Sequence, residues 1–154
     1  SKEYSDFGGD YEVIHHTQLI EELMNSGAIH TNNVIDNKVT YHDACYLGRH
    51  NNIYDSPRNV ISEIVGQKGD LLEMEENKSS SMCCGAGGGN MWHEIKDGDR
   101  INVTRFEQAM ETNAEIVATA CSFCNIMLED AMKVKGKENE MQVRDVAELV
   151  AKSI

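Results

Sequence analysis

Five cysteines, spaced C-x37-CC-x36-C-x2-C, constrain this chain more than anything else in it. They are Cys45, Cys83, Cys84, Cys121 and Cys124. An odd number does not close into a disulfide framework. The sequence opens on no secretory signal, so reduced thiols are the expectation. Reduced thiols drawn from distant parts of a chain point to a metal or redox site. At 154 residues the chain can bury a core without covalent staples, so the fold does not need the cysteines to hold it together.

Hydrophobic patterning says where the cysteines fall. Short β-rich runs at 11–14, 38–42, 71–74, 115–119 and 141–143 read as strands. Between them lie helical patterns. The first covers 17–25, capped by Thr17, with Leu19, Leu23 and Met24 inward and Gly27 as the stop. The second starts at Ser56-Pro57, carries Val60, Ile61, Ile64 and Val65 on one face, and stops at Gly66. Others cover 99–113, 121–135 and 145–152. Alternation of this kind predicts a single α/β domain over 1–154, with a mostly parallel sheet and helices on both faces. Ligands of such sheets sit beyond the carboxyl ends of the strands. Cys45 follows the second run, Cys83 and Cys84 follow the third, and Cys121 follows the fourth. All five cysteines are therefore expected at one edge of one sheet.

Charge narrows the partners. Fourteen Lys and Arg face 26 Asp and Glu, a formal net charge of −12. Nucleic-acid binding depends on neutralising phosphate, and an acidic surface repels it. Anionic membrane surfaces are disfavoured for the same reason. No apolar run approaches the roughly 20 residues of a membrane span. A cytoplasmic setting is expected.

Several chemistries suit the cysteines. Iron–sulfur clusters take thiolates donated from several loops. A C-x2-C pair opening a helix puts two sulfurs on one side, where the helix N-terminus favours thiolate. Gly85, Gly87 and Gly88 would leave room for a bulky group and free backbone N–H donors. Zinc also accepts four cysteines, but adjacent Cys83 and Cys84 fit a tetrahedral site only with strain, and a fifth thiol is spare. A thiol–disulfide oxidoreductase using Cys121 and Cys124 is a further reading, although Pro57, the only proline, lies well before that pair. Gly85-Ala86-Gly87 begins like a dinucleotide fingerprint, but Asn90 stands at its third glycine. Inert buried thiols are the plainest alternative.

The histidines are less informative. His42, three residues before Cys45, either supports the cysteine site or simply ends a strand. His15, His16 and His30 read as surface or helix-end residues, and His50 and His93 carry less signal still. Arg49 either offsets charge at the site or makes a surface ion pair; Tyr46 and Trp92 flank its loops.

The local segments carry a resemblance. Tyr41-His42-Asp43-Ala44-Cys45-Tyr46-Leu47-Gly48-Arg49, Met82-Cys83-Cys84-Gly85-Ala86-Gly87-Gly88 and Ala118-Thr119-Ala120-Cys121-Ser122-Phe123-Cys124 resemble the cysteine-rich CCG domain of heterodisulfide reductase B subunits and related iron–sulfur oxidoreductases. The likeness covers roughly residues 10–150. It implies a [4Fe–4S] cluster, of non-cubane form in some members, held by Cys45, Cys83, Cys84, Cys121 and Cys124. It also implies electron transfer between a flavoprotein-type donor and a quinone or disulfide acceptor. Members usually carry two such motifs and this chain has one, so the resemblance implies the C-terminal half of a longer oxidoreductase, inactive alone and with residues 1–10 linker-like. The parent would supply a second CCG domain or other redox subunits, and in some cases a membrane attachment. In the domain alone, made without cluster assembly, zinc is the expected contaminant.

Overall fold

The computed structural model describes residues 2–154 apart from 33, 67–68, 94–97 and 99. Four strands form one parallel sheet: β1 (Lys38–Tyr41), β2 (Asp70–Leu72), β3 (Ile116–Thr119) and β4 (Gln142–Asp145). Their order is β2-β1-β3-β4. Val39 pairs with Leu71 on one side and Ile116 on the other, and Val117 pairs with Val143. Among the described residues the α-helices are α1 (Lys2–Ser5), α2 (His16–Asn25), α3 (Asp55–Ile64), α4 (Ile101–Glu111), α5 (Ser122–Val134) and α6 (Val146–Ser153).

Parallel strands covered on both faces read as continuous apolar runs. β3 does so, with all four of its residues buried. Successive side chains of a strand point to opposite faces, and the core divides accordingly. Val39, Tyr41, Ile116 and Ala118 pack with Val60, Ile61 and Ile64 of α3 and with Leu149 and Val150 of α6, while Ile20 and Met24 of α2 lie against that cluster. Val117 and Val143 pack on the other face with Phe106 and Ala109 of α4 and Leu128 and Ala131 of α5. The expected α/β architecture, with a parallel sheet and helices on both faces, is what forms.

Three local expectations are corrected. Residues 11–14 form no strand; Tyr11 and Val13 are exposed there. Strand propensity yields a strand only where a neighbour completes the ladder. The first long helix is capped by His15, not Thr17: Nδ1 of His15 accepts from the Thr17 N–H (3.3 Å), and Gln18 Oε1 accepts from the His15 N–H (3.0 Å). Thr17 is buried in the first turn, and the inward face carries Ile20 and Met24 while Leu19 is exposed. In α3, Tyr54 is the N-cap and Ser56 and Pro57 lie inside the first turn. Pro57 is tolerated there because the first four N–H groups of a helix have no intrahelical acceptor. That helix ends at Ile64, before Gly66. Asp99, the expected start of α4, lies outside the described residues.

Chain order places the site. From β1 the chain crosses to β2 on one side, then returns past β1 to β3 on the other. The connections therefore diverge between β1 and β3, and such a switch point opens a crevice at the carboxyl edge. The loop after β1 carries Cys45, and the loop after β3 carries Cys121.

Candidate functional site

The five cysteines meet at this crevice as free thiols. Cys84 and Cys124 are buried; Cys45, Cys83 and Cys121 are partly exposed. Cys121 is the N-cap of α5 and Cys124 lies in its first turn. Donor atoms of Cys84, Cys124 and His42 lie within 4.8 Å of one another, all three side chains buried. Cys124 also shares a hydrogen bond with Cys121. Cys45 stands where Cys83, Cys84 and Cys121 influence its charge.

The electrostatics are uneven. The Cys124 thiol beside Cys121, together with the N–H groups of Cys124 and Phe123, holds Cys121 down to about 6. This is the effect expected of a thiolate at a helix N-terminus. Hydrogen bonds from Cys124 and His42 and the Ala86 N–H pull Cys84 down. Cys124, whose one proton is drawn to the sulfurs of Cys121 and Cys84, is pushed up, as is Cys45 through burial and the thiols of Cys83 and Cys84. A cationic group of soft affinity would relieve these conflicts by replacing shared protons with bonds to metal.

Gly85 shapes the Cys83–Cys84 loop. Its N–H donates to Cys83 Sγ at 3.3 Å. Its φ of +88° is in the left-handed region, and a Cβ built there would meet Ile101 Cβ at 3.1 Å and the Asn102 nitrogen at 3.3 Å. Gly87 and Gly88 are exposed, with open space where a Cβ would go. Arg49 Nη2 donates to the Ser81 carbonyl at 2.6 Å, tying the Cys45 loop to the segment before Cys83. His50 stacks on Tyr46 with centroids 4.7 Å apart, and Trp92 is exposed.

Two arginines escaped the sequence reading. Arg58 of α3 donates to both oxygens of Asp43, at 2.8 and 2.9 Å, and to both oxygens of Glu73, at 2.6 and 2.9 Å. Asp43 Oδ2 also accepts from the Lys78 N–H at 2.7 Å. This network joins the Cys45 loop to the segment leading toward Cys83. Arg105 of α4 is fully buried; its Nε donates to His42 Nδ1 at 3.1 Å.

Beside the cysteines opens a cavity of about 660 Å³, lined among others by Ile14, His15, Cys45, Tyr46, Cys121 and Asp145. His15 Nε2 lies 3.2 Å from the Ala120 carbonyl, fixing the approach to α2 against the Cys121 loop.

The CCG cysteine-rich domain matches residues 39–129. This chain belongs to that family. A probable iron–sulfur-binding oxidoreductase, FadF, of Bacillus subtilis is 44% identical over 152 residues, which cover 99% of this chain and 21% of the relative. The EtfAB:quinone oxidoreductase of Syntrophomonas wolfei is 43% identical, over 99% of this chain and 22% of its own length. A component of the dihydromethanophenazine:CoB–CoM heterodisulfide reductase of Methanosarcina barkeri is 38% identical, over 94% of this chain and 34% of its own length. The chain thus spans between about a fifth and a third of the relatives it matches. No helix among the described residues is long and apolar enough to cross a membrane.

Proposed function

We propose that this domain holds one iron–sulfur cluster and passes electrons within a larger oxidoreductase. The gathering of the cysteines at one switch-point crevice carries this reading: Cys84 and Cys124 share one donor group, Cys121 hydrogen-bonds Cys124, and Cys45 lies near Cys83, Cys84 and Cys121. The five cysteines offer an all-sulfur donor set, which suits an iron–sulfur cluster. Cys45, Cys83, Cys84, Cys121 and Cys124 would be the ligands, with the cluster of the [4Fe–4S] type. When bound, the cluster supplies a one-electron carrier.

The chain's own residues would set its surroundings. Gly85 offers an N–H to Cys83, and the first turn of α5 offers N–H groups to Cys121. Donors of this kind tune cluster potentials. The cavity brings Cys45 and Cys121 toward solvent, where an acceptor can approach. By analogy with the quinone and heterodisulfide oxidoreductases among its relatives, the donor would be a flavoprotein and the acceptor a quinone or a disulfide. The rest of a longer protein, or a second such domain, would complete the path, in a reducing compartment that keeps the thiols free.

The test is iron, sulfide and zinc content per chain, on protein loaded and purified without oxygen, with an EPR spectrum. About four irons and four sulfides, with a paramagnetic signal in one redox state, is the expected result. Stoichiometric zinc with no stable iron would overturn it.

A further inference from the structure

By distance alone, His42, Cys84 and Cys124 form a three-donor metal site of a kind zinc accepts. The contacts on the far side of the imidazole argue otherwise. Arg105 Nε donates to Nδ1 of His42 at 3.1 Å. An arginine donates only, so Nδ1 must present its lone pair to it. A neutral imidazole then carries its proton on Nε2. A ring protonated on both nitrogens could not accept from Arg105, so the same contact requires the neutral imidazole.

Arg105 is itself held without slack. Nη1 donates to the Glu76 carbonyl at 2.9 Å and to Gln108 Oε1 at 2.7 Å, and Nη2 donates to Ser81 Oγ at 3.0 Å. Among the described residues, no carboxylate lies within ion-pair distance of it. A buried cation needs nearby negative charge; Asp43 and Glu76 act on Arg105 from beyond ion-pair distance, and thiolates gathered around a cluster would add to them.

We propose that Arg105 is a positioning residue that locks His42 in the Nε2–H tautomer, so that His42 gives Cys84 an N–H donor and not a metal-binding lone pair. The inference rests on the iron–sulfur reading of the five cysteines and deepens it. It makes His42 and Arg105 one unit that raises the cluster's potential: an N–H···S bond and a buried cation both favour the reduced, more negative state.

Two measurements test it. Long-range 1H–15N spectra of the metal-free wild-type chain read the tautomer directly. An Nε2–H ring is expected; an Nδ1–H ring or an even mixture overturns the lock. Iron loading of His42→Leu, His42→Gln and Arg105→Met then reads the consequence. Wild-type iron and sulfide contents are expected in all three. The Leu and Met variants should be about tenfold harder to reduce, about 59 mV lower for a one-electron couple. The Gln variant, which keeps an N–H donor, should recover most of the difference. Loss of iron in His42→Leu would make His42 a ligand and overturn the proposal, as would an unmoved potential. If wild-type protein takes zinc and no iron, the cluster reading falls, while the tautomer spectrum still decides the role of Arg105.

Discussion

Arg58 holds the Asp43 carboxylate by both oxygens, in a pair almost wholly removed from water. Arg58 also stands over the Tyr41 ring, 5.2 Å from its centroid. Asp43 lies two residues before Cys45, so the pair anchors the Cys45 loop to α3. Removing one member of a buried ion pair leaves the other charge unpaired, at about 3–5 kcal/mol. Arg58→Met should therefore destabilise the chain by that order. The second partner, Glu73, is 37% exposed, and a partly solvated pair contributes about 0–1 kcal/mol. Glu73→Gln should cost correspondingly little. Urea unfolding of both variants measures the contrast, and equal losses would mean that the Asp43 pair is not the dominant tie.

Gly85 and Gly87, separated by Ala86 alone, should behave oppositely. Gly85→Ala meets both a left-handed φ and a Cβ pressed on Ile101 and the Asn102 backbone. The conformational penalty is about 1–2 kcal/mol, and overpacking adds about 1–3 kcal/mol. Gly87→Ala meets open space and an ordinary φ, so it should be neutral within about 0.5 kcal/mol. Denaturant midpoints separate them. A Gly85→Ala protein as stable as wild type would show that the loop yields to the methyl group.

Much of the architecture was legible because it depends on local pattern. The buried run of β3 and the apolar face of Val60, Ile61 and Ile64 each announce one element. The cysteines announce an edge because each follows a strand. What sequence hid was the pairing of distant polar groups. Arg58 and Asp43 are 15 residues apart, and Arg105 and His42 are 63 apart. Nothing in local periodicity distinguishes a buried arginine from a surface one. His15 as a helix cap was hidden for a related reason: imidazole is not among the favoured capping groups, and here the Ala120 carbonyl helps hold it in place. The run at 11–14 had strand propensity without a ladder partner, and propensity lost.

Thiol reactivity should follow the uneven electrostatics. Cys121 is held down to about 6, so above that pH it is largely thiolate. Cys45 is pushed above its ordinary value, chiefly by burial, so at neutral pH it stays a thiol. The thiolate is the nucleophile. In reduced, metal-free protein at pH 7.5, iodoacetamide should modify Cys121 well before Cys45. The Cys121 rate should fall as pH drops through about 6, while the Cys45 rate should still be rising above pH 8. Mass spectrometry of timed digests reads both. Faster labelling of Cys45 at neutral pH would reverse the assigned order.

If the cysteines hold a cluster as proposed, its loss should loosen the Cys83–Cys84 loop before the sheet. Residues 79–90 contain Cys83, Cys84 and a short 3-10 turn with left-handed Gly88 and Gly89, and most of that stretch after Gly85 is exposed. The strands β1 and β3 are paired on both sides and buried. Segments with few buried contacts open locally at low free energy, and core strands open only near global unfolding. Cys84→Ser should therefore lose the iron, leave the far-ultraviolet dichroism of the helices unchanged, and speed amide exchange in 79–90 far more than in β1 or β3. In wild type, loading with iron and sulfide should slow exchange in the same loop. Full iron in Cys84→Ser would remove Cys84 from the ligand set. Equal protection of 79–90 with and without iron would mean that the loop is ordered by the Arg49 and Arg105 contacts to Ser81 alone.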